Sequence, residues 1–297
     1  MILLNEKYLI IKKITLSVNH ELRIAHIYPT QQKVVLKFFS QRKKVKCVEA
    51  EIKFMEKIKK HKSPYIINMI DSFEYNGYIV LVFPFYNKGD LFEIIKRKSV
   101  FPETKTKILI FQLLNGLKTI HDMGIIVRDI KPENILIDED GSPIIIDFDL
   151  AVSINDMEKL DDGTYKDKIV CGTPDSMSPE TYNRIYSFKT DVFSVGCVTY
   201  YLLTSYAVYS EDRKILTFKF EDNENIYAYD HVTGKRFPSE NSKDFISKCL
   251  TVDVSKRPSI DELLNHPWFT ESTLMKFRKR SSSMTRYTDI KKQKIIK

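Results

Sequence analysis

Short apolar runs alternate with charged or turn-forming stretches along the chain, and two periods divide them into strands and helices. The opening MILLNEKYLIIKKITL is apolar but interrupted by Glu6, Lys7, Lys12 and Lys13, and it predicts a first strand rather than a membrane span. In VEAEIKFMEKIKKH, Ile52, Met55 and Ile58 recur at helical spacing, so an amphipathic helix is expected there. YIVLVFPFYNKGDLF predicts a strand, a connector and a helix start. Farther on, the β-branched runs Ile135 to Ile137 and Ile144 to Ile146 flank a turn at Gly141, Ser142 and Pro143. That pattern predicts a hairpin whose second strand delivers Asp147 at its end.

The segment before that hairpin carries the chemistry. VRDIKPENILID runs from Val127 to Asp138, and IIIDFDL follows from Ile144, so Asp129, Lys131, Asn134 and Asp147 occur in the order a phosphoryl-transfer site needs. Such a site wants a carboxylate to orient the attacking hydroxyl and accept its proton, with oxygen ligands for the Mg²⁺ ions that neutralise the phosphates. Asp129 is the candidate for the first role, and Asn134 and Asp147 are candidates for the second. A lone Asp in a loop is more often a turn former or a cap; the joint order is what carries weight.

These stretches resemble the HRDxKxxN catalytic loop and the DFG segment of protein kinases, and the resemblance extends over roughly residues 8 to 269. VVLKFF resembles the strand bearing the ATP-pairing lysine, here Lys37, and Glu51 best matches its helical partner, with Glu49 and Glu56 as weaker candidates. CGTPDSMSPE resembles the end of an activation segment. DVFSVGC resembles a buried helix whose Asp191 braces the catalytic loop, and SKRPSIDELLNHPWF supplies Arg257 as the partner of Glu180. The resemblance implies an α+β, bilobed protein kinase fold: a small antiparallel β-sheet lobe with one helix over residues 1–83, and a larger, mainly helical lobe over 84–270. It puts the hinge at about 83–88 and the activation segment at 147–180. Phe83 is then the gatekeeper, Pro84 and Tyr86 offer a carbonyl and an N–H to adenine, and Leu22, Val35 and Leu136 enclose the ring.

Composition refines this picture. A chain of 297 residues, 43% apolar, buries a large core, and one such unit accounts for most of it. The four cysteines show neither CxxC spacing nor a disulfide framework, and with ATP as cofactor the expectation is an intracellular protein of the cytoplasm or nucleus. Residues 271–297 hold nine Lys or Arg against two acids, so this basic tail carries +7 of the chain's +8. It is expected to be a disordered, solvated segment, with a nuclear signal, an anionic-surface patch or a pseudosubstrate as alternatives. Nucleic acid is a minor alternative partner.

Three departures stand against the family pattern. No glycine precedes Gly77, so the glycine-rich loop positions hold Thr15, Ser17 and His20. Losing one backbone contact to phosphate costs about 1.5–3 kcal/mol, or one to two decades of affinity. Val127 replaces the usual histidine and is expected to pack under Phe148 with Met55 and Met69. Asp149 replaces glycine, either as a left-handed turn former or as a second metal ligand that shifts preference toward Mn²⁺.

Lys131 and Thr173 are the family's marks of serine/threonine specificity. Glu133 and Asp90 fit a preference for basic residues before the acceptor, as in the calcium/calmodulin-kinase-like group that the HPWF ending resembles. Ile169 stands where many relatives carry a phosphorylated Ser or Thr, and the acidic stretch NDMEKLDD with Thr164 and Tyr165 is expected to carry its own regulation or to offer Arg128 a carboxylate. The expectation is therefore a serine/threonine kinase using ATP and Mg²⁺, acting on protein substrates and open to a regulatory protein. The alternative is a pseudokinase that acts as a binding module.

Overall fold

The computed structural model describes residues 3–16, 20–40, 45–61, 63–98, 100–209, 229–230, 235–236 and 238–269. Strands β1 (Leu3–Leu4), β2 (Tyr8–Leu16), β3 (His20–Ile27) and β4 (Gln32–Ser40) lead into helix α1 (Val45–His61), followed by β5 (Asp71–Tyr75) and β6 (Tyr78–Pro84). The six strands form one antiparallel sheet in the order β1-β2-β3-β4-β6-β5. The opening run is thus two strands rather than one. Asn5 and Glu6 adopt left-handed φ of 47° and 52°, which reverses the chain between them.

The two-residue period of β4 decides what reaches the cleft. Val34, Leu36 and Phe38 are buried in an outer cluster with Leu4, Tyr8, Ala25, Val80 and Val82, so Val35, Lys37 and Phe39 face the other way. Phe39, Leu81 and Phe83 join the larger core through α1, whose Val48, Phe54, Met55 and Ile58 are buried. A one-residue slip in β4 would bury Lys37 in the outer cluster.

Beyond β6 the chain is mainly helical. It continues through α2 (Leu91–Lys98), α3 (Glu103–His121), β7 (Ile125–Ile126), β8 (Ile135–Ile137), β9 (Pro143–Ile145), β10 (Val152–Ser153), β11 (Glu158–Lys159), β12 (Tyr165–Lys166) and β13 (Ile185–Tyr186). Then come α4 (Phe188–Thr204), β14 (Tyr229–Asp230), β15 (Lys235–Arg236), α5 (Glu240–Cys249) and α6 (Ile260–Leu264). The β8–β9 hairpin forms as the sequence predicts, with Ile135 opposite Ile145, although Pro143 belongs to the strand and the turn is closed by Asp138 and Gly141.

Helix α4 is the centre of this half. It starts at a capping box in which Ser187 and Thr190 satisfy each other's backbone N–H, and it is buried nearly all round. Gly196 lets α5 approach: a Cβ there would lie 2.7 Å from Cys249 Cβ and 2.8 Å from Leu250 Cγ. Arg257, fully buried, donates to both oxygens of Glu180 at 2.7 and 3.0 Å and ties the end of the activation segment to the helical body. The basic tail and Ser17 lie outside the described residues, as does the side chain of Glu49.

Candidate active site

The loop after β7 is built around one carboxylate. Asp191 is fully buried at the start of α4; its Oδ2 accepts the Val127 N–H at 2.9 Å and faces His121 Nε2 at 2.7 Å, while Oδ1 accepts the Arg128 N–H at 2.8 Å. Arg128 takes φ of 69°, a strained conformation for a long side chain that this double anchoring holds in place. The turn thereby presents Asp129.

Asp129 is 9% exposed and surrounded by donors. Its Oδ1 accepts from Thr173 Oγ1 at 2.6 Å, and its Oδ2 accepts from Asn134 Nδ2 at 2.9 Å and lies 2.8 Å from Lys131 Nζ. Lys131 also donates to Thr173 Oγ1 at 2.7 Å, which closes a three-membered polar ring. Gly172, at φ of 124°, permits this approach, because a Cβ there would sit 3.0 Å from the Arg128 carbonyl oxygen. The donor half of the Asn134 amide is engaged by Asp129, which leaves Oδ1 as its possible metal oxygen.

Opposite charges gather on Lys37. Its ammonium lies 3.1 Å from Glu51, 2.9 Å from Asp147 and 2.6 Å from Asp149. Burial works to lower the Lys37 pKa, but Glu51, Asp147 and Asp149 outweigh it and push it up. Burial pushes Glu51 up to about 8, against the pull of Lys37, and the Asp149 charge adds to the rise. Asp149 goes the other way: against burial, His20 and Lys37 hold its carboxyl well below the usual range. Three carboxylates share one ammonium.

Asp149 is not the left-handed residue of this turn. Asp147 takes that conformation, at φ of 61°, and Asp149 instead spends its carboxylate on Lys37 and His20. Phe148 between them is buried, and its ring centroid is 4.4 Å from that of Phe54. Val127, Met55 and Met69 belong to the same apolar cluster, joined by Phe54, which the sequence reading did not place there.

The positions expected to enclose adenine, Leu22 on β3, Val35 on β4, Leu136 on β8, and Pro84 and Tyr86 after Phe83, are all half-buried, and Pro84 pairs with Val34 across the sheet. Thr15 lies within β2 opposite Leu22. A pocket beside Thr173 is lined by Phe92, Lys131, Glu133, Asp175 and Tyr201. Asp90, by contrast, accepts the Glu93 N–H at 2.8 Å and caps α2, so one of its oxygens is committed to the helix.

The activation segment holds a group that sequence reasoning missed. The Arg128 guanidinium pairs with Asp167, donates to the Leu150 carbonyl at 2.6 Å and lies over the Tyr186 ring. The carboxylate expected from the acidic stretch thus comes from just beyond it, two residues before Ile169. The stretch itself forms part of a small sheet, β11-β12-β13, in which Tyr165 pairs with Tyr186. Thr164 is buried and donates to Asp162 at 2.6 Å, which removes it as a readily modified hydroxyl.

Comparisons with known proteins agree on one family. The model of the protein kinase domain matches residues 23–269. The chain is 34% identical over 265 residues to a Dictyostelium discoideum protein named "Probable serine/threonine-protein kinase fhkD", covering 81% of this chain and 33% of that one. It is 31% identical over 233 residues to calcium/calmodulin-dependent protein kinase type I of Schizosaccharomyces pombe, covering 77% and 67%. To mouse death-associated protein kinase 2 it is 31% identical over 254 residues, covering 83% and 65%. The chain thus spans about a third of the first relative's length and about two thirds of the other two. Among the described residues no helix is long and apolar enough to cross a membrane.

Proposed function

The chain belongs to the protein kinase family, and from that premise we propose that it is a serine/threonine kinase transferring the γ-phosphoryl group of ATP to protein hydroxyls. The observation that carries this reading is the setting of Asp129, held by Thr173, Lys131 and Asn134 on a loop pinned by Asp191. A carboxylate so placed can orient an acceptor hydroxyl and take its proton, which requires a fixed acceptor more than a strong base. Lys131 reaches the same place and stabilises charge on the transferred group.

Lys37 is the candidate contact for the nucleotide phosphates, and the pleat of β4 and the ion pair with Glu51 fix its direction. Asp147 and Asn134 offer carboxylate and amide oxygens, the hard donor set that Mg²⁺ takes. Mg²⁺, when bound, neutralises the phosphate oxygens. Leu22, Val35 and Leu136 form apolar walls for adenine, and the Pro84 carbonyl and the Tyr86 N–H are its candidate edge contacts. Thr15 and Ser17 remain the candidates for the loop over the phosphates. The change from sheet to helix after β6 (Tyr78–Pro84) supports a lobe boundary between Phe83 and Pro84.

Glu133 and Asp175 give the pocket beside Thr173 an acidic rim, which supports a preference for Arg or Lys before the acceptor. A peptide array with Ser, Thr and Tyr acceptors tests both claims. Labelling of Ser and Thr peptides with Arg three residues upstream is expected; labelling confined to Tyr, or an acidic or proline-directed preference, contradicts the assignment.

A further inference from the structure

Two positions that the family pattern fills with glycine carry side chains of opposite character here, and they meet. His20, at the start of β3, occupies the third glycine position of the phosphate loop; Asp149 occupies the glycine position after Phe148. His20 Nδ1 lies 3.6 Å from Asp149 Oδ2, and both side chains are largely buried, at 15% and 23% exposure. The other oxygen of Asp149, Oδ1, is 2.6 Å from Lys37 Nζ, closer than Asp147 or Glu51. Each side chain has its own support. The His20 ring sits 5.8 Å from the Phe39 ring, opposite it in the β3–β4 register, and the Lys37 ammonium lies 4.9 Å from the same ring.

We propose that His20 is a positioning residue that acts through Asp149: it aligns the Asp149 carboxylate, which holds the Lys37 ammonium against the start of the activation segment until nucleotide phosphate takes its place. The proposal rests on Lys37 being the phosphate contact. Its physical content is competition. Lys37 cannot give full contact to a polyphosphate while Asp149 occupies it at 2.6 Å, and Asp149 adds a negative charge beside Asp147 where phosphate must arrive. The exchange has a use in this chain. Without glycine this hairpin lacks the residue that best suits close backbone approach to phosphate, and a side-chain link from β3 to the activation segment keeps the cleft assembled when no nucleotide is present.

The test is a cycle of variants read by binding of ADP with Mg²⁺ in a calorimeter and by the melting temperature of the nucleotide-free protein. Asp149→Asn is expected to lower the Kd for ADP with Mg²⁺ by roughly fivefold, the factor that a partly exposed ion contact is worth. His20→Ala should shift Kd in the same direction by less, and should leave it unmoved in the Asp149→Asn background. His20→Asn, which keeps a donor of similar reach, should restore the wild-type value. Both single variants should lower the melting temperature without nucleotide, with the double variant losing less than their sum.

A weaker Kd in Asp149→Asn overturns the proposal, because it makes Asp149 a ligand of the bound metal. A weaker Kd in His20→Ala also overturns it, by placing His20 on the phosphate directly, and equal effects of His20→Ala in both backgrounds reduce the residue to hairpin packing. Wild-type protein that neither binds nucleotide nor transfers phosphate overturns the kinase reading itself. Wild-type protein that does both, with additive variants, overturns only this inference.

Discussion

Single residues decide how charge is distributed in the cleft. Glu51 has its pKa raised from 4.5 to about 8 chiefly by burial, so the folded protein holds a proton that the unfolded chain releases. The sign follows from linkage: the contribution is fully present below pH 4.5 and is lost as pH rises through about 8. The melting temperature of the nucleotide-free protein should therefore decline over that window, and Glu51→Gln, which cannot ionise, should flatten the decline. Parallel profiles for the two proteins would contradict it. Lys37 and Glu51 were legible because VVLKFF and the helix that follows resemble the family's lysine strand and its glutamate partner, and the two side chains meet at 3.1 Å. The tie between His20 and Asp149 was not legible, since nothing in either local pattern names a partner so far along the chain. Asp149 is the instructive error: its residue type suited a left-handed turn, but the neighbouring Asp147 takes that conformation and frees Asp149 for Lys37.

At the scale of elements, the activation segment is held by a carboxylate that needs no modification. Asp167 follows β12 and pairs with Arg128, whose backbone is anchored to Asp191 and whose guanidinium also caps the Leu150 carbonyl. Removing the carboxylate leaves a buried guanidinium short of one charged partner, a loss of about 3–5 kcal/mol in comparable buried pairs. Asp167→Ala should thus cut the transfer rate at least tenfold, whereas phosphatase treatment of the wild-type protein should leave it within twofold. A phosphatase-treated enzyme without activity would contradict this arrangement. The absence of a hydroxyl at Ile169 was visible in the sequence, but the substitute was not: the small β11-β12-β13 sheet sets where Asp167 points, and two-residue strands leave no periodic signal. The opening strand pair was missed for a similar reason, because Asn5 and Glu6 supply the reversal without glycine or proline.

The whole molecule follows from two cores of different kind. The outer cluster under β1 to β6 fixes the register of β4, and the larger cluster runs from α1 through Phe148 and α3 to α4 and α5. The two-lobed architecture was the most legible feature, because the motifs that resemble the protein kinase family occur in family order over most of the chain and survive local substitutions. Less legible was how the missing glycines are offset, since that depends on side chains brought together only by the assembled lobes. The central claim is that Asp129 serves phosphoryl transfer from ATP, and its most direct test is a single-turnover comparison of wild type with Asp129→Asn on a basic serine peptide, with Mg²⁺ and with Mn²⁺. Asparagine keeps the shape and the contact to Thr173 but cannot accept the proton, so a fall of roughly 10²–10⁴-fold is predicted while nucleotide binding persists. Equal rates in the two proteins, or no transfer by wild type with either metal, would contradict the account.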